Sequence, residues 1–168
     1  PNIEKHFIHS SFTWLSDEIV PVWKKIDFIL YDLGVSSVHL DEGDRGFSLR
    51  FDGPLDMRFD RTHGQTARDL VMHLEDRELV RIFSLYGEEK KSWFIANEII
   101  KRRKVEPIDT TEKLVEIIRS ASYDDKSPLR VFQALRIAVN EEFAHIEKSL
   151  KQALELLEVG GLIAVITF

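Results

Sequence analysis

The 168 residues contain no cysteine. That excludes disulfide bonds, a thiolate nucleophile and any cysteine-ligated zinc or iron–sulfur centre, and it fits a cytoplasmic protein. Long apolar runs are also missing. The longest, Leu162 to Phe168, falls far short of the roughly 20 residues a membrane helix needs, and no signal-peptide pattern is present. Positive charge is not in excess: 23 basic against 29 acidic residues give a net charge of −6. This excludes a histone-like coat for nucleic acid, while a local basic patch can still serve. There is no glycine-rich phosphate loop after a first strand. The single Gly160-Gly161 pair follows a helical pattern instead. Internal repeats, low-complexity segments and a persuasive Ser/His/Asp order are absent as well. The chain opens at Pro1 and closes at Phe168 inside an apolar run, so both ends read as cuts in a longer protein.

What is present reads as mixed α/β. Lys25-Ile26-Asp27-Phe28-Ile29-Leu30-Tyr31 is a β-branched and aromatic run ending at Asp32-Leu33-Gly34, the pattern of a buried strand closing on a glycine turn. Before it, residues 12–22 suggest a helix broken near Pro21, and Glu4 to Ile8 the tail of an earlier strand. Residues 41–64 carry four glycines, a proline and alternating charges and aromatics, a long irregular loop of the kind that is usually functional. Helices are expected from Thr66, up to Gly87, over Trp93 to Ile100, and from Thr110. Arg130 to Leu157 reads as one long helical pattern, straight or bent, stopped by Gly160-Gly161, followed by a strand over 162–168 buried on both faces, as in parallel sheets.

Ligands of open α/β sheets sit at the carboxyl ends of strands, which singles out Asp32 with the following Ser36 and Ser37. A carboxylate there can accept hydrogens from a ligand amine; the alternative is an acid that merely caps a turn. An aspartyl-nucleophile phosphatase would need a second acid two residues on, where Gly34 stands. Asp41, Asp44, Asp52, Asp56 and Asp60 crowd the long loop, but Arg45, Arg50, Arg58 and Arg61 interleave with them, which favours ionic pairing over a divalent metal. No metal site is expected. His39 is the one histidine near the Asp32 turn. Lys101-Arg102-Arg103-Lys104, with Lys90, Lys91 and Trp93 nearby, suits phosphate contacts or a helix end complementing its dipole.

Three runs together carry a resemblance: Asp32-Leu33-Gly34-Val35-Ser36-Ser37, then Leu40-Asp41 with Arg45-Gly46-Phe47-Ser48, then Asp52-Gly53-Pro54-Leu55-Asp56-Met57-Arg58. They closely resemble the bacterial ribosomal RNA small-subunit methyltransferase H family, also called MraW. Phe132 to Asn140 and Gly160-Gly161 through Phe168 match later segments in the right order. The resemblance covers essentially the whole chain, the stretch around 65–125 mainly in character. It implies a partial class I, Rossmann-like methyltransferase domain over 1–55 and 136–168, interrupted by an all-helical insertion domain over 56–135 that would recognise RNA. It also implies an S-adenosylmethionine-dependent enzyme of rRNA processing, methylating the exocyclic N4 amine of a cytidine in 16S rRNA within the small ribosomal subunit. No membrane partner is implied, and a homodimer is compatible.

On the family pattern Asp32 binds cofactor, a cofactor-binding glutamine falls on His39, and an aromatic cofactor contact falls on Phe12. The family's N-terminal Gly-Gly-His cofactor loop would precede Pro1, and a His-Ser segment would follow Phe168. The chemistry asks for such residues independently. A cytosine amine is a weak nucleophile because its lone pair is delocalised into the ring. An acceptor must hold the amino hydrogens so that the nitrogen points at the methyl group, and alignment is the main catalytic contribution. Asp32, Ser36 and Ser37 suit that role. The base must also leave its stack. Arg45, Arg58 and Lys101 to Lys104 are the candidates for holding RNA. The competing expectation is a non-catalytic RNA- or ribosome-binding module without a complete cofactor site.

Overall fold

The computed structural model describes residues 4–36 and 42–167. Packing divides the chain into two units, Pro1–Gly34 with Glu142–Phe168, and Val35–Glu141. The helical insert read from the sequence at 56–135 lies inside the second of these.

The first unit holds a 3-10 turn over Phe12–Trp14, helix α1 (Leu15–Ile19), strand β1 (Ile26–Asp32), helix α7 (Glu142–Leu156) and strand β2 (Leu157–Ile166). The two strands are parallel, with Phe28 opposite Leu162, Leu30 opposite Ala164 and Asp32 opposite Ile166. Helix α7 covers one face of this pair: the Tyr31 hydroxyl lies 2.7 Å from Ser149 Oγ, and both residues are buried. Gln152 ties the amino-terminal turn to the same helix, accepting from the Ser16 amide at 3.0 Å and donating to the Thr13 carbonyl at 3.0 Å. Lys25 Nζ closes the end of α7 on the Glu155 carbonyl, 3.0 Å away, where a cation favours the last turn.

The helix before β1 breaks near Pro21 as expected, beginning as a 3-10 turn and stopping at Ile19. Three expectations are corrected here. Glu4 to Ile8 is not part of a strand among the described residues. Gly160-Gly161 does not stop a helix; it lies within β2, which starts directly after α7 at Leu157. The strand is also not buried on both faces. Alternation places Phe28, Leu30 and Asp32 on the side of β1 away from Tyr31. On that side Phe28 is 53%, Leu30 54% and Leu162 65% exposed.

The second unit is helical: α2 (Ala67–His73), α3 (Asp76–Gly87), α4 (Ser92–Arg102), α5 (Thr111–Ser122) and α6 (Ser127–Val139). Thr66 starts α2 with a reciprocal capping box to Asp69, a cap worth about 1 kcal/mol. Glu75 and Glu78 do the same for α3. Pro128 sits in the first turn of α6, where its missing N–H costs nothing. Apolar residues at helical spacing meet in one core that includes Leu79, Phe83, Ile95, Ile99, Leu114 and Ile118, all fully buried. The helix expected from Arg130 to Leu157 is therefore two helices. Asn140 leaves the helical conformation and Glu141 adopts φ +48°, so the chain turns between α6 and α7.

Residues 42–64 are irregular, as expected, but tightly packed. A short 3-10 turn over Gly43–Arg45 packs back on the segment 53–57. Pro54 bridges Thr110, with Leu55 N donating to the Asp109 carbonyl (3.0 Å) and Thr111 N to the Gly53 carbonyl (2.9 Å). Phe47, Leu55 and Met57 enter the helical core. Two glycines make the close approach possible. A Cβ on Gly46, whose φ is +74°, would stand 2.3 Å from the Pro54 carbonyl oxygen, and one on Gly53 would stand 2.0 Å from that of Gly43.

Candidate functional site

In the first unit, β1 carries Asp32 to the carboxyl end of a parallel pair. The Leu33 amide extends the pairing to the Ile166 carbonyl at 3.3 Å, and Gly34 then turns the chain at φ +118°, a value that favours glycine. Asp32 is exposed. Its carboxylate lies on the open, apolar face of the sheet, opposite the side covered by α7. Phe12 falls elsewhere. Its ring packs edge-on to Tyr31 with centroids 6.2 Å apart, on the helix-covered side. The structure thus places the two residues by opposite faces of β1. Ser36 is exposed in the segment after the turn, whereas Ser37, His39 and Asp41 lie outside the described residues.

The second unit shows what the motif-rich segment does. Arg58 donates twice to the Asp56 carboxylate, at 2.7 and 3.1 Å, and also reaches the carbonyls of His63 and Gly64. Arg61 adds a contact to Asp56 at 3.3 Å and one to Asp44 at 3.3 Å. Burial works to raise the Asp56 carboxyl, but the hydrogen bonds from Arg58 and the charges of Arg58 and Arg61 outweigh it and hold the group below the usual carboxylate range. Arg45 donates to the Arg58 and Phe59 carbonyls at 2.9 and 3.1 Å, and lies over the Phe47 ring. Asn140 completes the clamp: its amide nitrogen donates to the Met57 carbonyl at 2.8 Å and its oxygen accepts from Phe59 N at 2.7 Å. Ionic pairing is what holds Asp56 and Asp44, through Arg58 and Arg61, whereas Arg45 is engaged by backbone carbonyls. Asp52 serves as a cap for α5, accepting from the Glu112 amide at 3.0 Å. That bond in the first place, with the neighbouring threonine hydroxyls, holds Asp52 below the usual range. Among the described residues no three His, Asp or Glu side chains converge as a metal site.

The basic run divides in the same way. Arg103 points inward, donating to the Val71 and Leu74 carbonyls at 2.8 and 2.7 Å, and so closes the carboxyl end of α2. Arg102 pairs with Glu98 at 3.0 Å. Lys101 approaches Glu98 only at 3.8 Å and is 76% exposed, and Lys104 is exposed.

Sequence reasoning missed two features of this unit. Glu89, fully buried, accepts from Arg130 at 2.7 Å and from the Lys91 amide at 2.7 Å. Nothing in the linear pattern pairs two residues so far apart. Arg50 and Arg119 line one small cavity with Leu49, Phe51, Asp52 and Glu112. The only sequence signal for it was the pair of apolar residues flanking Arg50.

Helices together with a parallel strand pair that carries an exposed acid at its carboxyl end define the chain as a mixed α/β protein. Residues 2–168 match the sequence model of the MraW methylase family, and the chain belongs to that family. It is 46% identical over 168 residues to the ribosomal RNA small subunit methyltransferase H of Exiguobacterium sibiricum, an alignment covering 96% of this chain and 54% of that protein. The chain thus spans about half the length of the curated relative it matches.

Proposed function

We propose that this chain is part of an S-adenosylmethionine-dependent methyltransferase that modifies the exocyclic N4 amine of a cytidine in 16S rRNA. Asp32 is the hydrogen-bond acceptor of its site and residues 35–141 are the RNA-facing unit. The observation that carries the reading is the placement of Asp32. It is an exposed carboxylate on the open face of a parallel strand, at its carboxyl end, in a chain of the MraW methylase family.

The donor set fits the cofactor as far as one carboxylate can: two oxygens offer about four acceptor positions, enough for hydroxyl or amine hydrogens. When bound, S-adenosylmethionine supplies an electrophilic methyl group on a sulfonium. The chain's own contribution is orientation. Asp32 accepts hydrogen bonds from the amine, so that the nitrogen lone pair is drawn out of conjugation with the ring and aimed at the methyl group, and Ser36 and Ser37, which follow in sequence, are the hydroxyl donors of this proposal. Asp32 and His39 are the polar cofactor contacts of this proposal, and Phe12 supports β1 through Tyr31 from the covered face. The homologue's name, which says that it methylates small-subunit rRNA, supports the choice of substrate.

The test is to incubate the full-length protein with unmodified small subunits and isotopically labelled S-adenosylmethionine, then map the label by mass spectrometry. Label on one cytidine, at N4, is the expected result. Label on a ring carbon, on a ribose or on protein would overturn the assignment.

A further inference from the structure

Helix α4 is amphipathic in an unusual way. Its inner face, Ile95, Ala96 and Ile99, is fully buried and fixes the helix in the core. Its outer face begins with two adjoining aromatic rings: Trp93 is 59% and Phe94 52% exposed, with centroids 5.1 Å apart and planes at 88°. Lys91 Nζ lies 5.4 Å from the centre of the Phe94 ring. At helical spacing the same face continues through Asn97, whose amide donates back to the Trp93 carbonyl at 2.7 Å, to the exposed Lys101. Of the seven charged residues from Lys90 to Lys104, six are cations, in a chain whose net charge is −6.

Single exposed apolar residues are ordinary. Two large rings side by side, held rigid by a buried helix face and bordered by lysines, cost solvation with no return inside the unit. The chemistry that repays it is specific. Unpaired nucleobases stack on aromatic faces while their phosphates meet ammonium groups. A protein partner is disfavoured, because lysine is depleted from protein interfaces. We infer that the outer face of α4, with Trp93 and Phe94 as the stacking surface and Lys90, Lys91 and Lys101 as phosphate contacts, binds an unpaired stretch of the target RNA. This rests on the RNA-substrate reading above.

The experiment uses the full-length protein with a fluorescent single-stranded 12-nucleotide RNA and, separately, small subunits in the methylation assay. The variants are Trp93→Ala with Phe94→Ala, Trp93→Phe, and Lys90→Gln with Lys91→Gln. Losing a stacked ring should weaken single-strand binding about 10-fold or more per ring. Trp93→Phe should retain most of the binding, which separates loss of stacking from loss of fold. The lysine pair should flatten the dependence of affinity on salt. In methylation the double alanine variant should raise KM for subunits while kcat stays near wild type.

Unchanged RNA affinity in the double alanine variant overturns the inference, as does a wild type that binds duplex as well as single strand. A variant that loses only self-association, with RNA binding intact, also overturns it and makes the face a contact between copies. Failure of the methyltransferase reading looks different: no labelled cytidine in wild type, with the stacking-dependent RNA binding still present.

Discussion

Single residues decide whether the motif-rich segment can exist. Gly46 combines a left-handed backbone with a carbonyl oxygen where a Cβ would go. Gly46→Ala should destabilise the protein by more than about 2 kcal/mol, since strain of this kind alone costs about 1–3, read as a fall in the denaturation midpoint at unchanged slope. The Glu89–Arg130 pair makes a second prediction. Burial works to raise the Glu89 carboxyl, but the hydrogen bonds from Arg130, the Lys91 amide and Ser127 outweigh it and hold it below its ordinary value of 4.5. A group depressed in the folded state contributes stability above its unfolded pKa and loses it as pH falls through the folded one. Stability should therefore be steady above about pH 5 and decline below the ordinary glutamate value, with the Asp56 pair declining in the same direction. Glu89→Ala should cost about 3 kcal/mol, because it leaves Arg130 half-buried with one partner fewer, and should flatten the acid limb of the stability profile. An acid limb identical to wild type would contradict this.

The elements were legible where one local signal sufficed. β1 ends at Asp32 as its apolar run predicts, and Thr66 and Thr110 cap the helices they announce. The errors share a cause. The apolar spacing from Arg130 to Leu157 is helical throughout, yet the break at Asn140 and Glu141 is imposed by contacts to Met57 and Phe59, which no local window contains. Gly160 and Gly161 look like a helix stop, but β1 recruits them into a strand by pairing Ile26 with Leu157 and Phe28 with Leu162. The segment 42–64 reads as a functional loop because glycines, a proline and alternating charges break any helical period; the same glycines and charges are what a tightly crossed, ion-paired backbone requires, while its Phe47, Leu55 and Met57 anchor it in the core. Of the candidate site, the position of Asp32 at the end of β1 was readable from strand and turn alone. The division of the arginines was not: Arg45, Arg58 and Arg103 are spent on carbonyls and carboxylates of their own unit, while Lys101 and Lys104 face solvent.

At the scale of the whole molecule, the two units differ in what holds them. Residues 35–141 own a core of fully buried side chains from five helices and the packed segment before them. The other unit has, among the described residues, a two-stranded sheet with one face on α7 and the other open and apolar, a construction marginal on its own. Hydrogen exchange should show it. The slowest amides are expected in α3, α4, α5 and α6, and those of β1 and β2 should exchange markedly faster in this chain alone. Equal protection in both units would contradict the division. In a longer chain of this family, further residues should cover Phe28, Leu30 and Leu162 and slow the strands. The open face that needs covering is also the face that presents Asp32. Folding of the sheet and assembly of the site are thus one event in the proposed enzyme. The most direct measurement is the rate of small-subunit rRNA methylation by the full-length protein carrying Asp32→Ala, beside wild type and Asp32→Asn, with thermal unfolding recorded for each. The account predicts near-wild-type unfolding with methylation lost in Asp32→Ala and strongly reduced in Asp32→Asn; methylation at the wild-type rate in a folded Asp32→Ala protein would contradict it.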